Sequence, residues 1–196
     1  MPKLKEATYA ARRQHILDAA RNCFSRKGFH AASMLDLQAE AGVSAGAIYV
    51  YFPSKDAIVN AITAANLERV TAVMTGIVDA TPDHSLRDAL TQAIVVTESV
   101  IEGPTRGIAF DVWGEGIRSE QVGTVLRQHF ATIRKLYVEL ARRAIASGEL
   151  PKTADPTNVG AVLFSLVIPG YYTQRLVMKD ITPESYIDGL MGMLGS

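Results

Sequence analysis

Only one cysteine, Cys23, occurs in 196 residues, so no disulfide can form within the chain, in agreement with a reducing cytosol. Membrane-length apolar runs are missing too. The most apolar stretch, 159–168, falls well short of the roughly 20 residues needed to cross a bilayer. The N-terminus is polar and lacks the apolar segment of a signal peptide, so a soluble, cytoplasmic protein is expected. Net charge is also absent: 20 basic and 20 acidic residues balance, which argues against a chain that coats nucleic acid along its whole length. His15, His30, His84 and His129 are scattered, with neither H-E-x-x-H nor Glu-x-x-His spacing, so no metal site is implied. No phosphate-binding loop occurs, and Gly114-Glu115-Gly116 lacks the strand and third glycine of a dinucleotide site; no cofactor is expected. No stretch alternates as a strand does, leaving an all-α fold.

What is present is 48% apolar residues, ample for a core, and a charge distribution that the total conceals. Residues 1–60 carry eight basic against five acidic side chains, and the remainder twelve against fifteen. A basic head on an acidic body is the footprint of a protein that meets DNA at one end.

In that head, Ile16, Ala19, Ala20, Cys23 and Phe24 form a helical stripe, predicting a helix over 10–27 that Gly28 ends, after a loose basic arm over 1–8. Cys23 on that stripe reads as a small core residue. Arg12 and Arg13 lie off it and either reach phosphates or form a solvated face. Ser33-Met34-Leu35-Asp36 is a capping-box pattern, and Gly42 suits the left-handed stop of the helix it opens. Ser44 caps a short helix that Pro53 halts, and Ser54 caps the next. Ile48, Tyr51 and Phe52 fall on one side of the short helix; Ala45, Gly46, Tyr49 and Val50 fall on the other. A helix this short must be held by neighbours, and its nearly bare outer face can approach a partner closely. Lys55, in a first turn, opposes the helix dipole, so it either awaits an anion or is a plain exposed lysine.

Helix, glycine turn and short helix make a helix-turn-helix over about 33–52. Gly28-Phe29, Ala41-Gly42-Val43-Ser44, Gly46, Ile48-Tyr49, Tyr51-Phe52 and Ser54-Lys55 together resemble the DNA-binding head of TetR/AcrR (tetracycline-repressor-like) transcriptional regulators. The resemblance covers about a quarter of the chain directly. It implies a DNA-binding domain at 1–54 and a helical ligand-binding and dimerisation domain at 55–196, about nine helices in all. By the same resemblance Ser33, Ser44, Tyr49 and Lys55 take phosphate-contacting positions, which fix register without reading sequence. Base reading would fall to Ala45, Gly46, Ala47 and Val50, with Leu35 in reach. None of these five can make a bidentate hydrogen bond, so thymine methyl contact and shape readout remain, and contacted positions should be T-rich. Lys3 and Lys5 are candidates for a minor groove.

Beyond the head, a connecting helix is predicted over 55–78, with a break at Thr81-Pro82-Asp83-His84. Further helices are predicted at 85–101, 106–118 and 120–147, interrupted at Glu102-Gly103-Pro104-Thr105 and stopped by Gly148. Asp155-Pro156 and Thr182-Pro183 mark two more starts. The helix over 156–178 is apolar nearly all round, with Gly160, Ala161 and Ser165 permitting close approach and Pro169 expected to kink it. The resemblance implies that this helix and the one over 183–194 pair with those of a second subunit, giving a homodimer on a near-palindromic double-stranded operator. It also implies a small-molecule effector in the second domain. Candidate lining residues are Phe110, Trp113, Phe130, Tyr137, Phe164 and Met178, each of which core packing would equally explain. Trp113 leads, because the glycines after it suggest local slack. Few charges face inward, pointing to a mainly apolar ligand whose binding releases a repressor from DNA. Two other readings remain: a dimeric DNA-binding protein without a ligand, and a helical enzyme that retains a DNA-binding-like head.

Overall fold

The computed structural model describes residues 2–80, 85–102 and 108–194, with side chains from residue 6 onward except at 101. Among these residues every regular element is helical. The expected breaks at 81–84 and 103–105 lie outside the described residues, apart from Glu102. The chain packs as two compact units, Met1–Asn66 with Glu102–Leu126, and Leu67–Ile101 with Arg127–Ser196.

In the first unit, α1 spans Pro2–Lys27 and absorbs the arm expected over 1–8. Proline fits a first helical turn, and Lys, Leu, Glu and Ala are strong helix formers, so nothing local stops the helix short. The side chains of Lys3 and Lys5, and the minor-groove role expected of them, lie outside the described residues. The whole stripe of Ile16, Ala19, Ala20, Cys23 and Phe24 is buried. Gly28 (φ 78°) ends α1 in the left-handed region. The loop that follows leads into α2 (Met34–Ala41), α3 (Ala45–Tyr51) and α4 (Lys55–Ala80). Leu37, Ile48, Phe52, Ile58 and Ile62 complete the head's core. Helix α6 (Ile108–Arg118) and the start of α7 (Glu120–Ser147) belong to this same unit, with Ile108, Val112, Val122 and Leu126 buried. Gly116 is not slack: a Cβ there would lie 2.5 Å from Leu126 Cδ1 and 3.6 Å from Gly123 Cα, so the glycine lets α6 close on α7.

The second unit is built on α5 (Leu86–Ile101), the rest of α7, and the two terminal helices. Leu86, Leu90, Ala93 and Ile94 of α5, and Ile133, Tyr137, Leu140, Ala141 and Ala144 of α7, are buried at helical spacing. Helix α8 opens at Pro156–Ser165 with Asp155 accepting from the Thr157 N–H (2.8 Å). Pro169 was expected to kink this helix. At Pro169 the rod passes through a π-turn, Leu166–Gly170, followed by one α-turn at Tyr171–Thr173 and a second π-turn at Gln174–Met178. Proline lacks the N–H that an α-turn needs, and in the wider turn the next donor, Tyr171 N–H, is shared between the Ile168 and Leu166 carbonyls. Tyr186, from α9 (Pro183–Leu194), donates its hydroxyl to the Leu166 carbonyl at 2.7 Å.

Candidate nucleic-acid interface and effector-binding body

The helix-turn-helix is built by local chemistry. Ser33 Oγ accepts from the Asp36 N–H (3.2 Å) while Asp36 accepts from the Ser33 N–H (2.9 Å), closing the capping box expected there. Lys27 Nζ adds an ion pair to Asp36 at 2.6 Å, and Arg26 pairs with Glu40. Lys27, then the Ser33 amide and hydroxyl, hold the Asp36 carboxyl far below the ordinary carboxylate range. Gly42 takes φ 59° and caps α2 with N–H bonds toward Ala39 and Gln38. His15 Nε2 lies 2.9 Å from the Ala41 carbonyl, tying α1 to the end of α2. Burial, with Asp36 and Glu40 adding to it, pushes the Cys23 thiol up, as befits a core residue rather than a reactive thiolate.

Helix α3 presents the divided face that its spacing predicted. Ile48 and Phe52 are 0% and 2% exposed, whereas Ala45, Gly46, Tyr49 and Val50 face solvent and Ala47 is half-buried. Burying Ile48 and Phe52 contributes roughly 1.5–3 kcal/mol each, enough to hold a seven-residue helix that could not persist alone. Leu35, on α2, is 71% exposed. Arg13 stacks over Phe52, Tyr9 meets Tyr51, and Arg12 is exposed.

The four residues expected to contact phosphate divide into two pairs. Ser44 has an N-cap backbone but makes no cap hydrogen bond, contrary to the capping role expected of it, and its side chain is exposed. Tyr49 projects at 52% exposure. Ser33, in contrast, directs its hydroxyl proton to Asp36 Oδ2 (2.7 Å). Lys55 is not poised for an anion. Its ammonium donates to the carbonyls of Phe29 (2.9 Å), Ala32 (3.1 Å) and His30 (3.4 Å), and lies 4.5 Å from the centre of the Phe29 ring. The unfavourable dipole of the first turn is thereby offset by three carbonyl dipoles from a loop more than twenty residues upstream, which no local pattern reveals.

Phe110 and Trp113 of α6 make an edge-to-face pair at 5.3 Å in the first unit. In the second unit Phe164 contacts Phe130 (5.5 Å) and Tyr137 (6.0 Å). Met178, the last residue of the second π-turn, is 58% exposed. Tyr137 is fully buried, its hydroxyl makes no hydrogen bond, and burial raises its pKa strongly. The body is also less apolar inside than expected. Glu98 Oε1, half-buried on α5, accepts from the Tyr171 hydroxyl (2.5 Å) and from Arg175 Nε (3.1 Å). Those partners lie over seventy residues apart, so sequence pattern could not have joined them. Along α8 and α9, an apolar groove of about 290 Å³ is lined by Leu166, Ile181, Tyr186, Leu190 and Met193, among others. Among the described residues no group of three His, Cys, Asp or Glu side chains could hold a metal, and no helix is long and apolar enough to cross a membrane.

Comparison with known proteins follows this division into head and body. Residues 16–62 match the family model for bacterial regulatory proteins of the tetR family. Over 189 residues, 93% of this chain and 91% of the relative, the sequence is 29% identical to the HTH-type transcriptional regulator UidR of Escherichia coli K12. Over 73 residues it is 44% identical to the HTH-type transcriptional repressor Rv1474c of Mycobacterium tuberculosis, covering 37% of this chain and 39% of that one. Among solved structures, Salmonella enterica GusR superposes with a TM-score of 0.72 at 26% identity, over 95% of this chain and 96% of that chain.

Proposed function

We propose that the chain is a DNA-binding regulator of transcription of the tetR family, and that it is a homodimeric repressor released from a near-palindromic operator by a small, mainly apolar effector. The relatives it matches are regulators rather than enzymes. The observation that carries the reading is the exposed, small-residue face of α3 held up by fully buried Ile48 and Phe52. Such a face can lie close against base edges, and two copies about 34–36 Å apart would meet successive major grooves.

In this reading residues 1–54 bind DNA and 55–196 bind effector and partner. Ala45, Gly46, Ala47, Val50 and Leu35 meet base edges, with Ser44 and Tyr49 on phosphates. Ser33 and Lys55 support the site from behind. The apolar groove of α8 and α9, with exposed Val162, Val177, Met178 and Met193, supports pairing through these helices. The Phe130–Tyr137–Phe164 cluster supports an aromatic or aliphatic effector in the body, with a hydrogen-bond acceptor to meet Tyr137. Release is then a population shift, the effector binding the DNA-incompetent arrangement more tightly.

The test is selection of bound duplexes from a random pool, followed by affinity for the winner at two salt concentrations. A palindromic, T-rich winner with a steep salt slope is the expected result. Failure to enrich any sequence above non-specific affinity overturns the reading.

A further inference from the structure

Outside the helix-turn-helix, one carboxylate reaches into the loop that aims it. Asp111, in the first turn of α6, accepts from the Phe29 N–H through Oδ2 at 3.3 Å, across 82 residues of chain but within the same compact unit. The other side of the Phe29 residue is held as well, since its carbonyl accepts from Lys55 Nζ at 2.9 Å. Its ring is 4% exposed, edge-to-face with Phe24 at 5.8 Å and covered by the Lys55 ammonium. Next along the loop, the His30 ring packs on Phe29, and its Nε2 lies 3.4 Å from an Arg118 nitrogen of α6. Gly28, at φ 78°, lets the chain turn into this grip, and four residues after Phe29 comes Ser33, the N-cap of α2.

We infer that Asp111 is a positioning residue for operator binding: by fixing the Phe29 amide it sets where α2 begins and so the pose in which α3 is offered to DNA. The inference rests on the reading of α3 as the helix that meets the major groove. A loop residue whose N–H and C=O were left to water would let α2 start from several positions. Only the fraction of molecules in the competent pose would bind, and the apparent Kd would rise by the inverse of that fraction.

Two physical effects of removing Asp111 have opposite signs, which makes the proposal sharp. As a negative charge in a DNA-binding unit, Asp111 opposes the phosphates, and electrostatics alone makes any neutral variant bind more tightly. As an acceptor that fixes the loop, Asp111 strengthens binding, and its truncation weakens it. The experiment measures operator Kd at two salt concentrations for the full-length wild type, Asp111→Ala, Asp111→Leu and Asp111→Asn, together with the thermal midpoint and amide exchange at Phe29. Leu refills the volume that Ala leaves, and Asn keeps an acceptor oxygen in place while removing the charge.

The expected result is Kd raised about tenfold in the Ala and Leu variants. Their salt slope should match wild type, because no phosphate contact is lost, and exchange at Phe29 should accelerate. Asn should bind within about twofold of wild type, rescuing the truncations. Ala and Leu variants that bind as tightly as wild type or more tightly overturn the inference while leaving the functional reading intact. Should both truncations fail to fold, Asp111→Glu decides, because it keeps the charge and displaces the acceptor: Kd raised several-fold supports positioning, and unchanged Kd overturns it. A wild-type protein that binds no duplex specifically overturns the functional reading, and this inference with it.

Discussion

Gly160 of α8 rests against the backbone of Val138 in α7: a Cβ on Gly160 would lie 2.5 Å from Val138 Cα and 2.6 Å from its amide nitrogen. Backbone atoms cannot swing aside as a side-chain tip can, so the two helices would have to separate. Gly160→Ala is expected to destabilise the protein by about 1–3 kcal/mol, measured by chemical denaturation. Gly76→Ala in α4, where nothing lies within 4 Å of the new methyl, should stabilise by about 0.4–1 kcal/mol through lost unfolded-state entropy. Equal effects at the two sites would refute the close helix contact.

Lys55 separates a strut from a phosphate ligand. Its ammonium holds three loop carbonyls, so Lys55→Met should weaken operator binding with the salt slope unchanged. A direct phosphate contact would instead reduce the slope by about 1 when removed.

Tyr137 carries a buried hydroxyl that bonds to nothing in the protein. Replacing it by phenylalanine removes a desolvated polar group at almost no change in shape, and stability should hold or rise by about 1 kcal/mol. A drop in thermal midpoint of several degrees would show that the hydroxyl is satisfied.

Acid should act on the head through Asp36. Its carboxyl sits below its ordinary value of 3.8 chiefly because Lys27 bonds to it. Folding is therefore stabilised by this group above about pH 4, and that contribution is lost as pH falls through the lower, folded-state value. Asp36→Asn removes the ionisation, so denaturation between pH 5 and 2 should be shallower for the variant than for wild type. Parallel acid curves for the two proteins would contradict the assignment.

Much of the head could be read directly from the chain because its determinants are local. The Ile16 to Phe24 stripe, the Ser33–Asp36 capping box, the left-handed Gly42 and the two faces of α3 each depend on residues within two helical turns of one another. Where local reading failed, another force had entered. Ser44 looked like a cap, and its side chain makes no cap hydrogen bond. Pro169 sits in a π-turn whose Leu166 carbonyl accepts from Tyr186 of the next helix, a partner that no local pattern shows.

Helix positions, their buried faces and the helix-turn-helix were determined by the amino-acid sequence itself, since periodicity and capping act over three or four residues. Tertiary structure alone decided that Lys55 braces a loop, that Asp111 holds the same loop from α6, and that Glu98, Tyr171 and Arg175 meet inside the body. Each of those contacts joins groups more than twenty residues apart, and only the packing of helix on helix brings such partners within hydrogen-bonding distance.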